Sequence, residues 1–304
     1  MMRMDNRVIS TLVSSILLLT GCASVQNTQL LPPSLFGERV ILGQVENDKL
    51  NEISGLAASR IHPGVIWVHN DSGDSNQVYA MNESGQHLGT YKVSACLALD
   101  WEDIAVGPGP DEKLSYLYVG DIGDNRAIRP FIHICRIAEP SNLHDMNSEA
   151  SPVKAEVIAL RYPDGARDAE TLMVDPSTKD LYIVTKREYN VFVYRAAFPQ
   201  SVTEINELEK VAELPLTRIT AGDISADGNE VLLKSLGKVF YWRRTQGEQF
   251  AEMFKKPYDE VPYRREPQGE AIGWASDASG FYTMSEEPLA FEADVNFYPR
   301  NIVE

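Results

Sequence analysis

Five stretches of this chain repeat one plan, and the repeat limits the fold more than any other feature. They are Glu52-Ile53-Ser54-Gly55-Leu56-Ala57, Trp101-Glu102-Asp103-Ile104-Ala105, Ala169-Glu170-Thr171-Leu172-Met173, Ala221-Gly222-Asp223-Ile224-Ser225 and Gly269-Glu270-Ala271-Ile272-Gly273. Matched on Leu56, Ile104, Leu172, Ile224 and Ile272, they lie 48, 68, 52 and 48 residues apart. After each comes a polar turn and a second apolar run, such as Leu117-Tyr118-Val119 or Leu181-Tyr182-Ile183-Val184. In the first four repeats an alternating aromatic run follows, such as Val191-Phe192-Val193-Tyr194. Short β-branched and aromatic runs between Gly, Asp, Asn and Pro turns are strand signals. Helix-like stretches such as Glu204 to Glu213 are brief.

Repeats of this length with several strands each are the blades of a propeller. The sequence therefore predicts an all-β chain forming a single β-propeller of five blades, or six if the 68-residue interval hides a degenerate one. The polar, proline-bearing segment from Ala138 to Ser151 reads as an inserted loop. The run from Val40 to Val45 precedes the first repeat and has no blade of its own. It is expected to add the outer strand of the last blade and close the ring.

In an up-and-down blade, the turn entering the inner strand and the turn between strands two and three open on one face. Glu52, Asp100, Glu102, Asp103, Asp168, Glu170, Asp223 and Glu270 are thus expected around one mouth of the channel. Asn70, Asp71 and Asp74, Asp121, Asp124 and Asn125, Lys186, Arg187 and Glu188, and Glu286 and Glu287 are expected nearby. Crowded carboxylates have to be hydrated, protonated, hydrogen-bonded or neutralised by a cation. Calcium suits a flexible set of oxygen ligands. Its expected ligands are drawn from Glu102, Asp103, Glu170, Asp223, Glu270, Asp71, Asp121 and Asp124. Lys186, Arg187, Asn70, Asn125 and Glu52 are the expected contacts to a further ligand. For any one carboxylate the competing role is a latch, accepting backbone N–H groups of the next blade. Asp175 and Asp227 belong to tight turns on the opposite face.

The formal net charge of −16 and pI near 4.8 exclude a nucleic-acid partner, which needs a basic face. No Gly-x-Ser-x-Gly nucleophile elbow occurs. His62, His69, His87, His133 and His144 lack zinc spacing. Trp101, flanked by acidic residues, reads as packing between blades. Cys96 and Cys135 either pair in an oxidising compartment or are separate buried residues; spacing alone leaves both open.

At the N-terminus, Arg3 and Arg7 precede an apolar run from Val8 to Thr20 and then Leu19-Thr20-Gly21-Cys22-Ala23-Ser24. This resembles the lipobox of bacterial lipoproteins. The resemblance implies a signal peptide over 1–21, lipidation at Cys22, a tether over 22–37 and the propeller over 38–304. With Ala23 after the cysteine, it implies a membrane partner through the lipid anchor, on the outer membrane and facing the periplasm.

The third repeat, Asp168-Ala169-Glu170-Thr171-Leu172-Met173-Val174-Asp175 followed by Leu181-Tyr182-Ile183-Val184, resembles the blades of bacterial phytase and esterase-like-phytase propellers. The mature chain also resembles uncharacterised bacterial propeller proteins that carry Asp100-Trp101-Glu102-Asp103-Ile104-Ala105 and Gly120-Asp121-Ile122-Gly123-Asp124-Asn125. These resemblances imply calcium and phosphoester hydrolysis. Three functions follow as expectations. The first is a propeller that binds a cation at one mouth and presents that face to a ligand or protein. The second is a calcium-dependent phosphoesterase, and the third a ligand-free assembly scaffold. Whether the protein is an enzyme stays open at this point.

Overall fold

The computed structural model describes residues 34–71, 75–143, 150–286 and 293–301. The leader, Cys22, Asp74, His144 and Glu287 lie outside the described residues. In chain order the strands are β1 (Val40–Gln44), β2 (Ile53–Ala58), β3 (Val65–Asn70), β4 (Gln77–Asn82), β5 (His87–Ser94), β6 (Trp101–Pro108), β7 (Ser115–Asp121) and β8 (Ile132–Ala138). They continue with β9 (Ser151–Lys154), β10 (Glu156–Arg161), β11 (Ala169–Val174), β12 (Leu181–Thr185), β13 (Val191–Ala196), β14 (Asn206–Glu207) and β15 (Glu209–Leu214). The last are β16 (Ile219–Ile224), β17 (Glu230–Ser235), β18 (Val239–Arg243), β19 (Asp259–Val261), β20 (Ala271–Trp274), β21 (Gly280–Met284) and β22 (Asp294–Pro299). One helical turn, α1 (Phe250–Met253), precedes β19.

These strands form five blades of a β-propeller. Inner to outer, the blades are β2-β3-β4-β5, β6-β7-β8-β10, β11-β12-β13-β15, β16-β17-β18-β19 and β20-β21-β22-β1. The inner strands adjoin in sequence order, and β20 adjoins β2, so the ring is closed. As expected, β1 pairs antiparallel with β22 and supplies the outer strand of the last blade. Among the described residues, the 68-residue interval holds no sixth blade. Part of it is β9, which crosses back and pairs parallel with β5 on the outside of blade one. β14 does the same to β10 on blade two. Cys96 and Cys135 form a disulfide with Cα atoms 6.0 Å apart, pinning the segment that enters blade two to that blade's third strand.

The core is divided among the boundaries between blades. Because alternate residues of a strand face opposite sides, the second strand of each blade feeds both neighbouring layers. Leu232 packs toward the fifth blade with Ile272, Trp274 and Phe281, while Val231 and Leu233 pack toward the third with Tyr182 and Val193. Trp101 is buried between blades one and two with Trp67, Val78 and Tyr91, as its sequence context suggested.

One irregularity of the inner strands positions the site. Register slips between Ile53 and Gly55, Trp101 and Asp103, Ala169 and Thr171, and Ile219 and Ala221. The residues passed over are Ser54, Glu102, Glu170 and Thr220, and such bulges re-aim a side chain. In the fifth blade Glu270 immediately precedes the first pair, Ala271 and Met284. The strand ends bear out this matching. Ser59, Asp175, Ser225 and Ala275, each five residues past its ring position, all donate a closing N–H to the start of the next strand. The fourth repeat is therefore offset by two from its alignment on Ile224. Thr220, and not Gly222, occupies the place of Glu102, Glu170 and Glu270.

Candidate metal centre at the channel mouth

Three carboxylates of this ring, those of Glu102, Glu170 and Glu270, are buried at the mouth. Asp100 and Asp168 stand two residues earlier on the same entering turns. Asp71, Lys186 and Glu286 follow the second strands of their blades. Each is tied to the entering turn by its own backbone N–H, to Glu52 O (2.8 Å), Asp168 O (3.0 Å) and Gln268 O (3.0 Å). The turn between strands two and three thus meets the turn into the inner strand, as the blade geometry predicts.

Oxygen atoms converge there in three sets, each with ligand atoms within 4.8 Å of one another. The sets are Asp71, Asp100 and Glu102; Asp71, Glu270 and Glu286; and Glu102, Asp168 and Glu170. Two cations pair with carboxylates of these sets. Lys186 Nζ lies 2.7 Å from Glu170 and 3.8 Å from Glu270, and Arg187 pairs with Asp168. Burial, then Glu170, Asp71 and Asp100, push the Glu102 carboxyl up to about 12 despite Lys186. Burial also lifts Glu170 to about 8, working against Lys186, and lifts Glu286 to about 8 with Glu270 adding to the effect. Glu170 Oε2 is buried without a hydrogen-bond partner. A carboxylate oxygen in that condition is costly unless something positive reaches it.

Space has been left for this arrangement. A Cβ on Gly123 would stand 2.1 Å from Glu102 Oε1 and 2.5 Å from the Asp100 carboxyl carbon. Supports lie behind the cluster. Asp100 N donates to Asp121 Oδ1 at 2.8 Å, and Asp124 N donates to Asp168 Oδ1 at 2.8 Å. Lys234, next to the last residue of β17, is fully buried. Its ammonium bonds Gly269 O, the carbonyl before Glu270, and burial lowers it to about 8. Glu266 lies 3.9 Å from it and also takes bonds from Thr283 and Asn296.

The other expected ligands have different partners. Asp103 accepts Ile104 N and, across the blade boundary, Leu172 N, both at 2.9 Å. Asp223 repeats this with Ile224 N and Trp274 N, both at 2.8 Å. Both are interblade latches, the competing role weighed from sequence. A one-residue step along a strand turns Asp103 away from the side Glu102 faces, and the two-residue offset carries Asp223 past the ring. Asp121 is paired with Arg129 at 2.9 Å, and Asp124 accepts Arg129 N at 2.7 Å, so these two brace the site from outside the three sets. Asn70 joins Glu52 N and Lys49 O, and Asn125 accepts from Arg187. Glu52 is exposed. Buried His69 holds Nδ1 2.7 Å from Asn70 O, and burial lowers its ring to about 4.

Buried acidic residues on the opposite face show what balanced charge looks like in this protein. Asp175 pairs with Arg244 across blades three and four, and Glu230 with Arg300 across four and five. Glu139 is not balanced in this way: its Oε1 accepts Trp67 Nε1 at 2.9 Å and Ser59 Oγ at 2.5 Å, while its Oε2, like that of Glu170, has no hydrogen-bond partner. Sequence treated Asp175 as a turn residue alone. It caps Ser177 N as a turn residue does, and it also joins two blades.

No family model matches the chain, and no curated protein matches it. Among solved structures, it is similar to a chain in the crystal structure of a nidogen/laminin complex. Identity is 10% and the TM-score 0.44, over 77% of this chain and 72% of that one.

Proposed function

We propose that this protein is a lipid-anchored, periplasm-facing propeller that holds a divalent cation, calcium, at the acidic mouth and presents that face to a ligand or protein. The observation that supports the cation is the imbalance at the mouth. Glu170 and Glu270 share Lys186, Asp168 takes Arg187, Glu102 and Glu286 stand against further carboxylates, and the buried Glu170 Oε2 has no hydrogen-bond partner. The donor set is wholly oxygen, which suits a hard cation. Glu102, Asp168, Glu170 and Glu270 would supply the buried ligands, with Asp71, Asp100 and Glu286 nearer solvent. A bound cation would supply the positive charge that lets these groups ionise together. The disulfide agrees with an oxidising compartment. For the phosphoesterase alternative, Lys186 and Arg187 have to turn to phosphate. Both are engaged by carboxylates here, so the binding role is favoured.

The test is metal analysis of the protein purified without residues 1–21, with thermal unfolding in calcium and in chelator. A cation held only by the folded state raises the midpoint. Absence of both bound metal and a shift contradicts the proposal.

A further inference from the structure

Beside the acidic mouth, blades two and three hold large apolar side chains out in solvent. Leu97 is 71% exposed, Leu99 57%, Ile128 70% and Tyr189 91%. Leu99 and Ile128 line one shallow depression with Asp100, a member of the candidate metal centre. Tyr189 lies two residues beyond Arg187, which bonds Asn125 and so joins the two rim loops.

The loops that carry these side chains are braced. Leu97 follows the disulfide at Cys96, and its carbonyl accepts Trp101 Nε1 at 3.0 Å. Ile128 follows Ala127, which sits at φ 50° and donates its N–H to Asp124 O at 2.8 Å. Arg129 then anchors the loop to Asp121 and Gly123 O. Ala95, ahead of Cys96, is likewise left-handed at φ 66°. A non-glycine residue in that region is strained, because its Cβ crowds the backbone. Disulfide, ion pair and strained backbone together fix loops whose tips expose apolar surface. Preorganised apolar side chains within a polar rim are the anatomy of a protein-binding hot spot.

We infer that this rim binds a protein segment in which apolar side chains flank lysine or arginine. The apolar residues seat on Leu97, Leu99, Ile128 and Tyr189, and the basic group faces the carboxylates of the mouth. The acidic mouth and the net charge of −16 supply the charge complementarity. The same charge disfavours an anionic lipid surface. The inference rests on the reading of the mouth as a presenting face, and it names the class of partner.

The experiment uses the chain without residues 1–21 and three fluorescent peptides of equal length: leucine with arginine, leucine with serine, and leucine with glutamate. Binding is read by anisotropy, with and without calcium. The leucine–arginine peptide is expected to bind tightest and the leucine–glutamate peptide weakest. Ile128→Asp and Leu99→Asp are expected to weaken the leucine–arginine peptide tenfold or more. Each change adds negative charge, so attraction by charge alone would strengthen binding. Ile128→Ser, which leaves charge unaltered, is expected to weaken it in the same direction. Unchanged or tighter binding by all three variants overturns the inference, as does equal binding of the glutamate peptide. Neutral lipid vesicles that bind where no peptide does also overturn it. The calcium-induced shift in midpoint is measured on the same variants and is expected to stay. If that shift is absent while the peptide results hold, the cation proposal fails by itself.

Discussion

Carboxyl groups on adjoining inner strands have opposite assignments here, so replacing them by amides has opposite effects. Asp103 and Glu170 are both buried, on adjoining inner strands. Asp103 uses both oxygens on backbone N–H groups, one of them Leu172 N of the next blade, with Gly222 also in reach. Asp103→Asn turns one oxygen into an amide NH2 that faces a donor. The orphaned backbone group and the lost bond together cost about 3 kcal/mol. For a domain this size that lowers the unfolding midpoint by about 6–12 °C. Glu170 faces other carboxylates, and Lys186 is left with Glu270 when the Glu170 charge is removed. In metal-free protein at pH 9, above the Glu170 value of about 8, Glu170→Gln deletes a buried charge and raises the midpoint. At pH 4, where the side chain is protonated in the folded and the unfolded state, the substitution changes little. With saturating calcium the sign reverses, since a ligand is lost. Differential scanning calorimetry of both variants, with chelator and with calcium, gives every comparison. A fall for Glu170→Gln in chelator at pH 9, or no fall for Asp103→Asn, refutes the division into latches and cation ligands.

Three further outcomes follow from the same structure. Burial raises Glu170 and Glu286 to about 8 from 4.5, so the folded state holds more protons than the unfolded one between those values. Metal-free stability is then greatest below pH 4.5 for these groups and is lost as pH rises through 8. A falling midpoint from pH 5.5 to 9 in chelator, absent in calcium, is the expected record. Replacing Cys96 and Cys135 by serine opens a loop of sequence separation 39. Roughly 4 kcal/mol of stability is lost on the chain-entropy account, read from urea unfolding against the oxidised parent. Gly123→Ala places a methyl group against Glu102 and Asp100. It is expected to lower calcium affinity at least tenfold in isothermal titration, with the strand content by circular dichroism unchanged.

Blade architecture was legible because each strand run carries its own signature, and the closing strand because Val40 to Val45 had no other place. The 68-residue interval hid its content, since a four-residue strand such as β9 is too short to read without its partner β5. Register was harder still. Ile224 matches Ile272 by type, but only the pairing of Gly222 with Leu233 shows the two-residue offset that takes Asp223 out of the ring. Glu102 and Asp103 illustrate the same limit, as adjacent acids in one motif that alternation sends to different tasks. Lys234 was missed although it interrupts an apolar strand at Val231-Leu232-Leu233-Lys234, a signal for a buried charge with a buried partner. Glu286 was placed near the mouth, but its union with Glu270 and Asp71 depends on the third dimension.

The most direct test is an anomalous difference map from crystals of the protein soaked in terbium, a hard cation with a preference for oxygen. A single strong peak is expected at the mouth, within ligand distance of Glu102 and Glu170 or of Asp71, Glu270 and Glu286. A mouth without a peak at saturating terbium, with Lys186 still on Glu170, contradicts the account.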